Sequence, residues 1–355
     1  MIGFLVSLFI LSLLVFVHEF GHFLAAKKAG IKVEEFGFGY PPRLLGKKIG
    51  ETIYSLNWVP FGGFTRIYGM ESDSAKATKD KEAFWNKPKR IRAAVLSAGI
   101  LMNFLLGVLA FSIIYSFLGI PKKQGFVEVV AVTEGSPAEK AGIKEGDIIR
   151  KFQNNKEFVK IISENLGKEI ELELERQGPT LSVIVVPRKE PPENEGPLGV
   201  VIADSKMVQP AFWQRPFLSL WFGIREAVGW AGAIFFGVGK MLYDLGFKGI
   251  VPKDITGPVG IVQIATGVAR AGILALLQFL GALSVNLAVL NLLPIPALDG
   301  GRLLFLGVEA ATGKKPKPKF ERWVHTVGMI ILLLLMLAIT IQDISRLFQT
   351  PPWPF

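Results

Sequence analysis

Hydrophobic and polar positions are segregated along this chain into long blocks. Four mostly uncharged stretches cover residues 1–26, 93–120, 271–298 and 323–342, and the second and third contain no charged residue. A helix of about 20 apolar residues crosses the hydrocarbon core of a bilayer. The pattern therefore predicts four transmembrane helices and a polytopic α-helical membrane protein.

A fifth apolar stretch, residues 216–242, is broken by charges. Arg225, Glu226 and Lys240 leave only 13 consecutive uncharged residues between them, a length typical of interfacial or re-entrant helices. The tryptophans of this stretch also favour a helix at the membrane surface. We expect residues 206–270 to form interfacial amphipathic helices.

Residues 27–92 predict a β region beside the membrane. Short apolar strands begin near Val33, Ile53 and Phe64 and are punctuated by glycines. The polar residues 71–82 that follow predict a loop before the second span.

Residues 121–205 are the only extended soluble stretch. Alternating apolar residues predict strands at 126–132, 148–152, 169–175 and 181–186, with a short helix after Ser136 and a second helix at 157–165. This is a small α/β module.

Composition narrows the classes of function. Half of the residues are hydrophobic and the mean hydropathy is +0.41. The chain has no cysteine, so a transition-metal site must use histidine and carboxylate ligands. The net charge of +10 comes from Lys and Arg that flank the apolar stretches. Basic residues in that arrangement orient a protein in the membrane. They do not form the single basic face that binds nucleic acid, so no nucleic-acid partner is predicted.

The charge distribution predicts which segments face the cytoplasm. The basic segments 27–92 and 306–322 are expected there by the positive-inside rule. The first and third spans then run inward, so 121–205 and both termini lie outside. The predicted segments in order are 1–26, 27–92, 93–120, 121–205, 206–270, 271–305, 306–322, 323–347 and a tail at 348–355.

Residues 18–22, at the end of the first span, read His-Glu-x-x-His. On a helix, His18 and His22 share one face and can reach one zinc ion, while Glu19 can deprotonate the attacking water. The alternative is a pair of interfacial histidines, but ionisable groups in an apolar helix are costly without a partner.

The first stretch also resembles a signal peptide. Cleavage after Ala25-Ala26 would remove the motif, so we expect a retained span.

A catalytic zinc ion takes three protein ligands, so a third must come from elsewhere. Asp299 is the lone carboxylate at the end of the uncharged third stretch, among prolines and glycines that break the helix. Asp299 would lie at the same depth in the membrane as His18 if residues 216–242 do not cross the membrane. A capping role is the structural alternative, and Glu34 and Glu35 are alternative ligands.

Two further polar residues lie within or near the spans. Asn103 is expected to be a packing contact between helices. His325 is expected to be an interfacial residue.

Together these motifs resemble the site-2 protease family of intramembrane metalloproteases. The apolar His-Glu-x-x-His and the distant Asn-x-x-Pro-x-Pro-x-Leu-Asp-Gly carry the resemblance, which is strongest with the bacterial regulator of sigma-E protease group. It covers nearly the whole chain. Further matching segments follow in the same order at 36–39, 60–63, 98–104 and 256–260.

The resemblance implies roles for particular residues. Asp299 would be the third ligand of a single Zn²⁺ ion, with Glu19 as the catalytic residue. The β region, including Gly62 and Gly63, would form a membrane-associated β-sheet that binds an unwound substrate as an added strand. Asn291 would contact the substrate backbone.

The resemblance also implies that residues 121–205 form one extracytoplasmic PDZ domain. Leu198, Gly199 and Val200 would belong to its peptide-binding strand after circular permutation. Better-known relatives often carry two such domains, whereas this chain has room for one. The domain either binds a peptide or only shields the active site.

The sequence therefore predicts a zinc metalloendopeptidase of the bacterial inner or cell membrane, with its active site near the cytoplasmic side. It would cleave transmembrane segments of other proteins, and the resemblance suggests anti-sigma factors or remnant signal peptides as substrates. A silent scaffold is one rival, which the complete motif argues against. An ion transporter is the other, and it would need polar groups along a whole path.

Overall fold

The computed structural model describes residues 2–70, 80–192, 195–249, 256–315 and 318–349. Most of the predicted loop 71–82 and the end of the predicted tail lie outside these ranges. Two compact units are present. Met1–Tyr115 and Ser219–Phe355 form the first, called the membrane unit here, and Ser116–Leu218 form the second, called the module.

The membrane unit is mainly helical. Its elements begin with α1 (Ile2–Lys28), β1 (Val33–Ile49), β2 (Thr52–Ile67), a 3₁₀ turn (Phe84–Asn86) and α2 (Lys89–Leu118). After the module follow α5 (Arg215–Lys248), α6 (Pro258–Ala271), α7 (Ile273–Leu292), α8 (Asp299–Thr312) and α9 (Pro318–Gln349). Four described segments are long and apolar enough to cross a membrane: Gly3–Lys28, Lys89–Leu118, Ile273–Leu292 and Lys319–Arg346. The prediction of four spans is confirmed, but the third helix ends at Leu292, six residues before the predicted end of its stretch.

The β region differs from the prediction of three short strands, which is wrong in extent. Two long strands, β1 and β2, pair with many register shifts, and Gly37 lies opposite both Ser55 and Phe64. The start of β1 therefore lies between the two halves of β2. Gly39 and Gly62 adopt positive φ angles of 77° and 67°, which lets the strands bend and continue where short strands were expected to end.

Contacts define the two ends of the helix bundle. At one end, Gly3 at the start of α1 packs against α6, and Asp343 near the end of α9 accepts the N–H of Gly260 in α6 at 2.9 Å. At the other end, Arg92 at the start of α2 pairs with Glu309 of α8 at 2.6 Å. The chain thus returns to the first end before α7 begins.

Helix α5 is continuous and contains the predicted interfacial stretch 216–242. It packs against the second half of α2, where Gly223 meets Ser112 and Tyr115 donates to Glu226 at 3.0 Å. It is not among the four apolar segments that are long enough to cross a membrane.

The module contains a five-stranded sheet in the order β6-β5-β4-β3-β7. Its elements are β3 (Ile120–Val132), α3 (Pro137–Lys140), β4 (Ile148–Ile149), α4 (Asn155–Glu164), β5 (Ile170–Glu175), β6 (Thr180–Val185) and β7 (Val200–Val208). Leu172 and Leu174 alternate with exposed glutamates and are fully buried, as expected for a strand with one face on a core. The fold is the predicted α/β module and is consistent with a PDZ domain.

Candidate metal centre

The two predicted histidines project from one face of α1. Their Nε2 atoms are 3.1 Å apart. The Nδ1 of His22 lies 2.8 Å from the backbone oxygen of Val95 in α2, and because a carbonyl can only accept, this nitrogen carries the proton. The Nε2 of His22 is therefore left as a lone-pair donor for a metal.

Asp299 is the first residue of α8 and meets both histidines. Its Oδ2 atom lies 3.0 Å from Nε2 of His18 and 3.2 Å from Nε2 of His22. The glycines after it allow the tight approach of α8 to the preceding loop: a Cβ at Gly300 would lie 2.1 Å from the oxygen of Leu293. The sequence prediction that Asp299 turns toward the histidines agrees with this geometry.

The three side chains fit a tetrahedral zinc ion. Their ligand atoms all lie within 4.8 Å of one another. Nitrogen and oxygen ligands at about 2.0–2.1 Å from a tetrahedral ion are about 3.3–3.4 Å apart, close to the observed 3.0–3.2 Å. Two imidazoles and one carboxylate leave a fourth position for water or substrate.

A cavity of about 610 Å³ opens beside this cluster. Glu19 lines it, as do Thr65 and Asn291. The Thr65 hydroxyl donates to the backbone oxygen of Glu19 at 2.9 Å, so β2 is fixed to the helical turn that carries Glu19. Glu19, the predicted base, and Asn291, the residue predicted to contact the substrate, thus line the same cavity as the three candidate metal ligands.

The alternative third ligands are placed differently. Glu35 is buried and pairs with Arg43 at 2.7 Å and with Arg66 at 3.4 Å. Glu34 lines the cavity but is not part of the cluster of potential ligands. His325 accepts a hydrogen bond from the backbone of Ala297.

Two further residues predicted to bind substrate, Gly62 and Gly63, lie close to α1. Gly62 packs against Val15 and Gly63 lies near Phe16, while residues 64–70 line the cavity. Gly62 and Gly63 lie within β2, and their predicted contact with a substrate stays a prediction.

The predicted peptide-binding residues of the module begin its edge strand. Leu198 is buried in the core of the module with 2% of its surface exposed. Gly199 has φ +70° and packs against Ser136, and Val200 begins β7. The peptide-binding role of these three residues stays a prediction, and β7 lies at the edge of the sheet.

Asn103 is a cavity residue whose position the sequence prediction did not anticipate. It lies on α2 with 1% of its surface exposed and lines the cavity. Neither polar atom of its amide has a hydrogen-bond partner among the described residues. An isolated polar residue in an uncharged span was the available signal, but the orientation of its side chain depends on tertiary packing.

Comparisons with known proteins agree with this centre. The model of peptidase family M50 matches residues 6–335. The regulator of sigma-W protease RasP of Bacillus subtilis is 30% identical over 423 aligned residues, covering 96% of this chain and 97% of that protein. The zinc metalloprotease RasP of Shouchella clausii is 31% identical, covering 96% and 98%. A protein of Clostridium perfringens, provisionally named a zinc metalloprotease, is 35% identical, covering 95% and 97%.

Proposed function

The chain belongs to peptidase family M50, the site-2 proteases, and is an intramembrane zinc metalloprotease, and from this premise we propose which residues perform the reaction. His18, His22 and Asp299 hold the zinc ion and Glu19 is the general base. The observation that carries this proposal is the convergence of three ligand atoms within 4.8 Å beside a cavity that Glu19 lines.

The reaction is hydrolysis of a peptide bond of a membrane protein. Zinc, when bound, polarises the scissile carbonyl and makes water more acidic. Glu19 removes a proton from the attacking water and delivers it to the leaving nitrogen. The hydrogen bond from Thr65 to the Glu19 backbone keeps the base in register with the β2 strand.

The second half of β2 is the proposed binding strand for the substrate. Residues 63–67 pair with β1 on one side, and residues 64–67 line the cavity. No strand in the described chain pairs with their other side. An extended substrate can add to such an edge through backbone hydrogen bonds. Asn291, which lines the same cavity, would contact the substrate backbone.

A transmembrane substrate must unwind before it can add as a strand. Its helical hydrogen bonds otherwise occupy the backbone groups that the edge requires. Helix-breaking residues near the scissile bond should therefore favour cleavage. Membrane-bound anti-sigma factors and remnant signal peptides are the proposed substrates, and the name of the Bacillus relative, a regulator of sigma-W protease, supports the first class.

The proposed orientation places the metal centre near the cytoplasmic side of the bacterial cell membrane. The basic segments 27–92 and 306–322 adjoin the end of the bundle that holds Arg92 and Glu309. Helix α6 packs at the opposite end, beside Gly3. The module follows α2 in the chain and would then lie outside the cytoplasm.

Peptide binding by the module is the proposed role of β7. This strand is at the edge of the sheet, and Asn155 at the start of α4 donates to the backbone oxygen of Ile202. An edge strand beside a helix is the arrangement by which PDZ domains bind extended peptides. Steric shielding of the active site is the alternative.

Two variants test the proposed site together. Glu19→Gln should keep zinc but lower cleavage of a model transmembrane substrate by about 10²–10⁴-fold, because the amide cannot accept the proton. Asp299→Ala should lose zinc in metal analysis of the purified protein, because two imidazoles bind it weakly. Glu51→Gln, in the exposed turn between β1 and β2, is the control. Cleavage by Glu19→Gln at a tenth of the wild-type rate, or full zinc in Asp299→Ala, contradicts the assignment.

A further inference from the structure

The loop between α7 and α8 contains a strained residue. Ala297 has φ +78°, and among the described residues only one other non-glycine residue has a positive φ. Side chains with a Cβ atom rarely adopt this left-handed conformation because it brings Cβ close to the backbone. Such a conformation persists only where surrounding contacts enforce it.

His325 of α9 supplies one such contact. The N–H of Ala297 donates to Nδ1 of His325 at 2.9 Å. The imidazole therefore accepts at Nδ1 and carries its proton on Nε2. Its ring also contacts Phe305 of α8, with ring centroids 5.7 Å apart. His325 thus touches both the strained loop and the helix that begins with Asp299.

Gly328 supplies the second contact, three residues further along α9. A Cβ at Gly328 would lie 2.4 Å from the Cβ of Pro296, so only a glycine permits this approach. Pro296 and Ala297 are therefore held by adjacent turns of the same helix. Residue 297 is two positions before Asp299, and its backbone conformation determines the direction in which the chain enters α8.

We propose that His325 is a positioning residue, which holds Ala297 in its left-handed conformation so that Asp299 faces His18 and His22. The proposal rests on the proposed role of Asp299 as a zinc ligand. His325 acts through the loop backbone and is not a member of the cluster of potential ligands found among the described residues. Partners that orient a metal ligand typically change metal affinity by about 10–100-fold when removed.

The first test compares three substitutions of His325 in the full-length protein, with zinc affinity measured by competition with a chelator. His325→Ala should lower zinc affinity by about 10–100-fold and cleavage with it. His325→Asn should recover most of the affinity because its Oδ1 can accept near the position of Nδ1. His325→Gln places its acceptor near the position of Nε2 and should not recover it.

The second test removes the backbone strain at residue 297. Glycine adopts positive φ without a Cβ penalty, so His325→Ala should cost less zinc affinity in an Ala297→Gly background than in the wild-type chain. A purely structural role of His325 in packing α9 predicts the same cost in both backgrounds. Thermal unfolding of each variant shows whether it is folded, and the Asn and Gln variants remain comparable if the alanine variant is not.

The outcomes separate this inference from the proposed function. Wild-type zinc affinity in His325→Ala, or equal affinity in the Asn and Gln variants, overturns the positioning role. If Asp299→Ala also retains zinc, the proposed ligand set fails instead. Loss of zinc in Asp299→Ala with none in His325→Ala leaves the function intact and rejects only the role of His325.

Discussion

Gly99 of α2 lies directly against the imidazole of His22 of α1. A Cβ atom at position 99 would be 2.5 Å from Nε2 of His22 and 2.8 Å from Nε2 of His18. Helix α1 approaches α2 equally closely at Gly21, where a Cβ would be 2.4 Å from the backbone oxygen of Ala98. The two helices can meet at the metal centre only because each has a glycine there.

Gly99→Ala should therefore displace the histidine ligands and reduce zinc occupancy. The added methyl group would occupy the space beside both Nε2 atoms, and at 2.5 Å the ligand has to move. Zinc content and cleavage of a model substrate are the measurements. Gly307→Ala is the control, because this residue lies on the helix that begins with Asp299 and a Cβ added there would have no neighbour within 4 Å. Full zinc occupancy in Gly99→Ala would show that the ligands do not occupy this geometry.

The spans and the histidine pair could be predicted because both depend on local properties of the sequence. Uncharged length determines whether a helix can cross a bilayer, and positions four apart on a helix share a face. The pairing of Asp299 with His18 also followed from the number of times that the chain crosses the membrane between these two residues. These features needed no knowledge of packing.

The hairpin register and the environment of the loop before α8 could not be predicted in the same way. Phe36 lies opposite both Tyr54 and Thr65, an arrangement that depends on glycine bulges whose position the apolar pattern does not encode. His325 was expected only at the interface. Its contact with Ala297 joins residues 28 positions apart and depends on how α9 packs.

Removal of the module should preserve the metal centre and change substrate choice. Ile120 and Val208 are paired at the ends of β3 and β7, so a short glycine linker can replace residues 121–207 without stretching the chain. Zinc content should be unchanged because every proposed ligand lies in the membrane unit. Cleavage of several transmembrane peptides, with and without an exposed extracytoplasmic segment, should show a broader range of substrates.

Cleavage by the protein without the module also distinguishes peptide binding by the module from steric shielding of the active site. Shielding predicts faster cleavage of bulky substrates after removal, whereas peptide binding predicts a higher KM for substrates that the module recognises. A folded, zinc-loaded deletion protein that cuts no transmembrane peptide would contradict the separation of module and chemistry.

The module should lose stability in acid through Asp147. Burial alone would raise the pKa of Asp147, but hydrogen bonds from Arg176 and from the Lys144 N–H outweigh it and hold the pKa below the usual value. Both carboxylate oxygens accept from Arg176 at 2.7 Å. Because the folded pKa is lowered, the contribution is fully present above about pH 4 and is lost as the pH falls through the lower folded value.

Asp147→Asn should therefore destabilise the module at neutral pH by about 1–3 kcal/mol, because the Arg176 charge loses its partner. It should also weaken the dependence of stability on pH below 4. Hydrogen exchange of the β5 amides in the full-length protein, corrected for intrinsic exchange rates, measures both effects. Glu175→Gln, which removes an exposed pair with Arg150, is the control and should have a smaller effect. Equal effects of the two variants would reject a special role for Asp147.

Helix α5 should have both ends on the outer side of the membrane. The chain enters α5 beside the end of α2, where Tyr115 bonds to Glu226. It continues to α6, which packs beside Gly3 at the start of α1. If the chain crossed the membrane once between these points, α7 would run through the bilayer in the opposite direction. Asp299 would then lie about 30 Å from His18, on the other side of the bilayer. A single zinc ion with ligand distances near 2 Å could not then bind both.

Single cysteines in this cysteine-free chain test the orientation with a membrane-impermeant thiol reagent on intact cells. Cysteines at Lys240 and Lys248 of α5, and at Glu190 in the module, should be labelled from outside. A cysteine at Lys314, in the basic segment after α8, should be labelled only after the membrane is opened. Lys253 and Asp254 would extend the scan but lie outside the described residues. If Lys248 is protected while Glu190 is labelled, α5 crosses the membrane, and His18, His22 and Asp299 cannot share a site in the orientation proposed here.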